Sequence, residues 1–359
     1  MSKAAELAAL IGSQTALSNR NLIINGAMQV AQRGGTTTIN NSQSYSAVDR
    51  FQGIGSSGGV FDITQSTTTP DGFKNSLKVE VTTADSSIAA SEYYVIDQRI
   101  EGSNISQLAW GTSAAKDVTL SFWVRSSVTG THGGAVSNSA TNRSYPYTYT
   151  ISAADTWEHK TITIDGDTSG TWLTTTGVGI RLYWGLGAGA DESGTADAWG
   201  AAEYRTATGA VQLIGTANAT WYITGVQLEV GEQATPFEHR SYGDDLLKCY
   251  RYCYVWKAEQ TYDPFTDLNV WNSTTMLGQY VLPVQMNHDP AIEFNAASDF
   301  VFSANNADRN ITALSLNRAT TREVQIFATD TDHGFSSGVG GFLRDDGGLN
   351  ATITLEAEL

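Results

Sequence analysis

The chain has 359 residues, of which 41% are hydrophobic, 10% aromatic and 16% charged, a globular composition long enough for two cores. Its formal net charge is −16 and its isoelectric point near 4.6, a field that repels phosphate backbones and anionic membrane surfaces. That balance, with no apolar run near the ~20 residues of a membrane-spanning helix, argues against nucleic-acid binding and membrane insertion; neutral glycans and divalent cations stay open as partners.

In chain order, the first segment is "KAAELAALI" (3–11), built from strong helix formers with Leu7, Leu10 and Ile11 in one stripe. A helix this short does not hold alone in water, so it predicts a partner, either identical copies of itself or a groove on another protein. The opening "MSKAAELAALIGSQ" lacks the apolar region and cleavage site of a signal peptide, which predicts a protein made in a cytosol.

From Asn21 the texture changes to strands. "NLIINGAMQVAQRG" is apolar and turns at Asn25-Gly26, a tight-turn dipeptide. "SLKVEVTT" (76–83) alternates with Leu77, Val79 and Val81 on one face. "DVTLSFWVRSS" (117–127) sets Val118, Leu120, Phe122 and Val124 against Thr119, Ser121, Trp123 and Arg125. "HKTITIDG" (159–166) follows, and "GVGIRLYWGLG" (177–187) opposes Val178, Ile180, Leu182 and Trp184 to Arg181 and Tyr183. "ATWYITGVQLEVG" (219–231) closes the series. Strands parted by glycine, serine and threonine turns, with no helical pattern between them, predict an all-β antiparallel sandwich.

"GDDLLKCYRYCYVW" predicts one or two helical turns and then a strand. Strand-like segments at 276–286, 293–304, 310–319, 323–330, 340–346 and 351–359 predict a second, smaller β domain. The expected organisation is a helical attachment or oligomerisation segment at 1–20, a sandwich at 21–240 and a β domain at 241–359.

Chemistry-bearing motifs are few. The histidines (132, 159, 239, 288 and 333) show no metal spacing, and His239, Cys249 and Cys253 lack the spacing and fourth ligand of a structural zinc site. Cys249 and Cys253 read as buried thiols rather than a disulfide framework. No nucleophile elbow or phosphate-cradling loop occurs, and "GLGAGADESG" (185–194) reads as a surface loop. Asp97, Glu101, Asp191 and Glu203 are carboxylates from which a glycosidase pair is drawn, against the plainer reading of solvated acids. Asp49, Asp97 and Glu229 suit a structural calcium ion; no other cofactor is expected.

One constellation points to binding. Trp123, Arg125, Arg181 and Tyr183 fall on non-core strand faces, and aromatic faces beside guanidinium groups suit sugar rings and their hydroxyls. The plainer reading is that loops or a neighbouring subunit cover them.

Two stretches carry a resemblance. "SNRNLIINGAMQVAQRGG…YSAVDRF" (18–51) and "WYITGVQLEVGEQATPFEHRSYGDDLLKCYRYCY" (221–254) resemble the two diagnostic blocks of a family of bacteriophage virion proteins, found among tail fibres and other host-contacting proteins. Asp244-Asp245-Leu246 stands where that family more often has Asp-Glu-Leu. The resemblance implies a jelly-roll module similar to carbohydrate-binding domains, with "NLIINGAMQV" its first strand, "WYITGVQLEV" its last, and "EYYVIDQRIEG" (92–102) another. It also implies a C-terminal domain forming a homotrimeric tip, and it carries over no catalytic residue.

The expected function is therefore a non-enzymatic virion protein, a homotrimeric tail fibre or appendage that binds a host-surface glycan. It would be made in the host cytoplasm and join other tail or capsid proteins through its N-terminal segment. The alternatives are a capsid or tail decoration protein and a polysaccharide depolymerase.

Overall fold

A computed structural model describes residues 20–56, 58–331 and 334–359. The expected helix at 3–11, and with it the attachment segment up to residue 19, lies outside the described residues. The chain divides into two compact units, Met1–Asp245 together with Leu359, and Leu246–Glu358.

The first unit contains β1 (Thr36–Asn40), β2 (Gln43–Tyr45), β3 (Phe51–Gly55), β4 (Val60–Ser66), β5 (Ser76–Thr83), β6 (Tyr93–Glu101) and β7 (Val118–Ser126). It continues through β8 (Gly130–Asn138), β9 (Ser144–Ile151), β10 (Glu158–Ile164), β11 (Val178–Ala188), the two-residue β12 (Ser193–Gly194) and β13 (Thr206–Ala207), and β14 (Thr220–Val230). Two six-stranded sheets result, ordered β1-β4-β5-β14-β7-β10 and β2-β3-β6-β11-β8-β9, with every neighbouring pair antiparallel. This is a jelly-roll β-sandwich.

The period-2 alternation explains the core. Leu77 and Val79 from β5, Leu120, Phe122 and Val124 from β7, and Ile180, Leu182 and Trp184 from β11 all join one fully buried cluster. Each such side chain contributes about 1.5–3 kcal/mol by leaving water.

Two expectations need correction. "NLIINGAMQV" is no strand: Asn25 and Met28 take left-handed backbone conformations (φ 59° and 57°), and the first strand begins at Thr36. Residues 185–188 belong to β11 rather than to a surface loop.

The segment at 21–30 has a different task. Leu22 N donates to Leu228 O at 2.9 Å, and Val226 N donates to Gly26 O at 2.9 Å. Asn21 Nδ2 donates to Val226 O while its Oδ1 accepts from Ile23 and Leu228. The Arg240 guanidinium donates to the carbonyls of Asn21 and Ile23, and Glu238 accepts from Asn21 N. The two sequence blocks that carry the family resemblance are thus hydrogen-bonded to each other, and both contribute to closing the sandwich.

Helix α1 (Tyr242–Tyr250) follows. Ser241 caps it, its Oγ accepting from Asp244 N and donating to the Asp244 carboxylate, a reciprocal capping arrangement readable as Ser-x-x-Asp. The helix ends before Cys253, so the two buried cysteines do not share one helical face, and they form no disulfide.

The second unit contains β15 (Cys253–Lys257), β16 (Pro264–Val270), β17 (Thr275–Val281), β18 (Ala291–Phe294), β19 (Phe300–Ala304) and β20 (Ala307–Asn310). Its remaining strands are β21 (Ala313–Ala319), β22 (Glu323–Thr329), β23 (Gly340–Asp345) and β24 (Thr352–Glu356). A seven-stranded sheet (β20-β19-β23-β16-β17-β22-β21) and a three-stranded sheet (β15-β24-β18) enclose a core that includes Phe265, Leu268, Met276, Phe300, Phe302, Leu343, Ile353 and Leu355.

Candidate functional site

The four residues singled out for sugar contact lie on two sheets, not one. Trp123 and Arg125 stand on β7 of the first sheet, and Arg181 and Tyr183 on β11 of the second. All four leave the core by alternation, but β7 pairs with β14 and β10 while β11 pairs with β6 and β8. The expected single constellation is therefore two separate pairs with different surroundings.

The β11 pair is closed. Tyr183 is 1% exposed and packs with Ile54, Val95, Ala135 and Tyr93. Its hydroxyl donates to Glu203 Oε1 at 2.8 Å, and Arg181 approaches the same carboxylate at 3.5 Å. Arg205 binds the other Glu203 oxygen at 2.7 Å, pairs with Glu192, and sets its guanidinium 3.8 Å from the Tyr93 ring centroid. Across the strand pair, Asp97 faces Tyr183 and Arg99 faces Arg181, and Arg99 Nε donates to Asp97 at 3.1 Å.

The segment that carries Glu203 and Arg205 lies flat on the sheet because glycine lets it. A Cβ added at Gly133 or Gly185 would stand 2.4 or 2.7 Å from the Thr206 hydroxyl. Burial raises the Asp97 carboxyl above its usual range despite the guanidinium groups of Arg99, Arg181 and Arg50, and burial pushes the Tyr183 hydroxyl far above its ordinary value. The network buries Tyr183 and leaves no sugar-sized aromatic face, although Asp97 Oδ1, Arg181 Nε and Thr206 Oγ1 are buried in it without a hydrogen-bond partner.

Two of the four carboxylates weighed as a hydrolytic pair, Asp97 and Glu203, do converge on Tyr183. Asp97 has no exposed surface, so it is not one of the solvated acids expected. Glu101 instead accepts from Ser103, and Asp191 sits in an exposed turn. The acids proposed for calcium already have protein partners: Asp49 accepts from Gln32, Asp97 from Arg99, and Glu229 from Gln227 and Thr235.

The β7 pair differs at its aromatic: Trp123 keeps part of its ring in solvent where Tyr183 keeps almost none, while Arg125 and Arg181 are equally half-buried. Trp123 is half-buried, its ring 5.2 Å from that of the exposed His159 on β10. Arg125 lies over Tyr222 of β14, its guanidinium carbon 5.0 Å from the ring centroid, while Trp157 meets Tyr222 edge-on at 6.2 Å. Arg125 is anchored by Asp155, through Nε to the carbonyl at 2.8 Å and through Nη2 to the carboxylate at 2.9 Å. Two of its five donor hydrogens are thereby committed and the fork is held in place. Half-buried indoles beside a fixed guanidinium can stack on a pyranose face and donate to its hydroxyls.

Sequence reasoning missed Tyr222, Trp157 and His159 as neighbours of this pair. Alternation along β14 sets Tyr222 opposite to Trp221 and Ile223, but only the register Tyr222–Arg125 brings it to the site.

No protein-family profile matches the chain, and no curated protein matches it. Among solved structures, it is similar to the enzymatically active domain of a bacteriophage CBA120 tailspike protein (TM-score 0.32, 11% identity, 59% of this chain and 21% of that one). This chain thus spans only about a fifth of the tailspike chain's length. It is also similar to a family 11 carbohydrate-binding module of a Clostridium thermocellum cellulosomal cellulase (0.29, 10%, 56% and 98%). A third is TmCBM61 in complex with β-1,4-galactotriose (0.30, 10%, 59% and 100%). At these scores the fold rests on the two sheets themselves and not on the likeness.

Proposed function

We propose that the chain is a non-catalytic glycan-binding component of a phage virion, a homotrimeric tail fibre or appendage that contacts the host surface. The observation that carries the binding role is the pair of half-buried indoles, Trp123 on β7 and Trp157 just before β10, beside Arg125, which Asp155 orients and which lies over the buried Tyr222. The virion role rests on the two sequence blocks, which the fold joins at the closure of the sandwich. The second unit would form the distal, trimeric tip, and the segment before residue 20 would attach to other tail or capsid proteins.

A second reading, a decoration protein that stabilises the particle without reading a receptor, is favoured by the burial of Tyr183 beneath Glu203 and Arg205, which closes that sheet face to a ligand. Incubation with host envelope polysaccharide separates the readings. Adhesion predicts retention of the protein on the polysaccharide with no new reducing ends. Decoration predicts no retention, and depolymerase activity predicts new reducing ends. Sedimentation as a concentration-independent monomer would contradict the trimer.

A further inference from the structure

We infer that the second unit carries a saccharide groove of its own, in which Tyr262 and Phe342 take the faces of a neutral glycan and Arg344 and Asp267 its hydroxyls. The inference goes beyond the reading above, because no residue of the Trp123 site takes part.

The groove is open and encloses about 660 Å³, lined by side chains of β16 and β23 and of the turn before β16. That volume falls within the ~300–1,000 Å³ of small-molecule clefts. Strand alternation builds it. Leu343 and Phe265 turn into the core, so Phe342 and Arg344 turn outward, opposite Asp267 and Pro264 in register.

Two large rings are left in water: Tyr262 is 53% and Phe342 40% exposed. Tyr262 is also held against its backbone preference. Its φ of 65° lies in the left-handed region, which costs a bulky residue about 1–2 kcal/mol. The buried Asp345 carboxylate stabilises the turn by accepting from the backbone of Gly347 at 2.7 Å, Leu349 at 3.2 Å and Tyr262 at 3.4 Å. The ring is thus held in one place, with Arg344 over it and Gly347 beside it and about half of the residue left in solvent, the preorganisation a ligand platform uses.

The polar partner is equally fixed. The Arg344 guanidinium carbon lies 4.6 Å from the Tyr262 ring centroid, and Nη2 binds Asp308 at 2.5 Å. Its Nε is buried without a hydrogen-bond partner. A paired arginine and an exposed carboxylate at Asp267 give both donors and an acceptor to hydroxyl groups. Asp267 and Asp308 together with the net charge of −16 disfavour an anionic glycan.

The test is affinity gel electrophoresis of the full chain against amylopectin, galactomannan, xyloglucan, mixed-linkage β-glucan and dextran, with alginate as the anionic comparison. The proteins are the unaltered chain, Phe342→Ala, Tyr262→Asn and Trp123→Ala. Phe342 is surface-exposed, so its loss should shift stability by no more than about 0.5 kcal/mol, and asparagine tolerates the left-handed backbone of Tyr262. Circular dichroism confirms folding, and Tyr262→Asn alone suffices if Phe342→Ala does not fold. We expect at least one neutral polysaccharide to retard the chain, about tenfold less in each folded groove variant, with retardation persisting in Trp123→Ala. No retardation by any neutral polysaccharide, unchanged retardation in either folded groove variant, or retardation by alginate alone overturns the inference. Loss in Trp123→Ala alone also overturns it and leaves the reading for the first unit intact.

Discussion

Tyr183 donates its hydroxyl to Glu203 from a position with 1% exposure, and Arg205 completes the same carboxylate from the other side. Its role is to pin the 203–206 segment to the sheet. Tyr183→Phe leaves a partly buried carboxylate one donor short, which should cost about 1–3 kcal/mol in urea unfolding while leaving glycan retention unchanged. His132 gives a pH signature for the same unit. It is buried, stacked on Tyr149 at 5.6 Å, and Nε2 meets Val128 O at 2.9 Å. Burial holds it below its usual value, so the unfolded chain binds the proton more readily. Stability from this group is therefore complete above about pH 6.5 and declines as pH falls from there toward the lower folded value. The urea midpoint measured from about pH 7.5 to about pH 5.5 should fall, and His132→Phe should flatten that slope.

At the scale of elements, the junction of residues 21–30 with β14 is the tightest test of the closure. A Cβ on Gly26 would stand 2.1 Å from Val226 O, inside a contact that also carries the Val226–Gly26 hydrogen bond. Gly26→Ala should therefore destabilise the first unit by about 1–3 kcal/mol or more, read as a lowered thermal midpoint. Strand positions were legible because apolar side chains alternate: β5, β7, β11 and β14 lie where the pattern places them. Partnership was not. Nothing local in "DVTLSFWVRSS" or "GVGIRLYWGLG" specifies that the first joins β14 and the second β6, since register and neighbour depend on residues about a hundred positions away. The expected quartet failed for that reason. "NLIINGAMQV", expected as the first strand, failed for another: all its apolar residues but Ile24 are buried, yet the left-handed Asn25 and Met28 bend it into an irregular segment against β14.

At the scale of the whole molecule, each unit has its own buried core, and each presents aromatics outward beside an anchored arginine. The all-β class and the helix-to-strand change after residue 241 could be read from composition and periodicity. The capping of Arg181 and Tyr183 could not, because the covering residues, Glu203 to Thr206, have no pattern of their own. The central claim is that the first unit binds glycan through the Trp123 site. The most direct measurement is the affinity of the full chain for purified host envelope polysaccharide, compared with Trp123→Ala. Removing one stacking ring, worth about 0.5–1.5 kcal/mol beyond its buried area, should weaken binding about tenfold without changing the fold. Equal affinity of the two proteins, or no binding by either, would contradict the account.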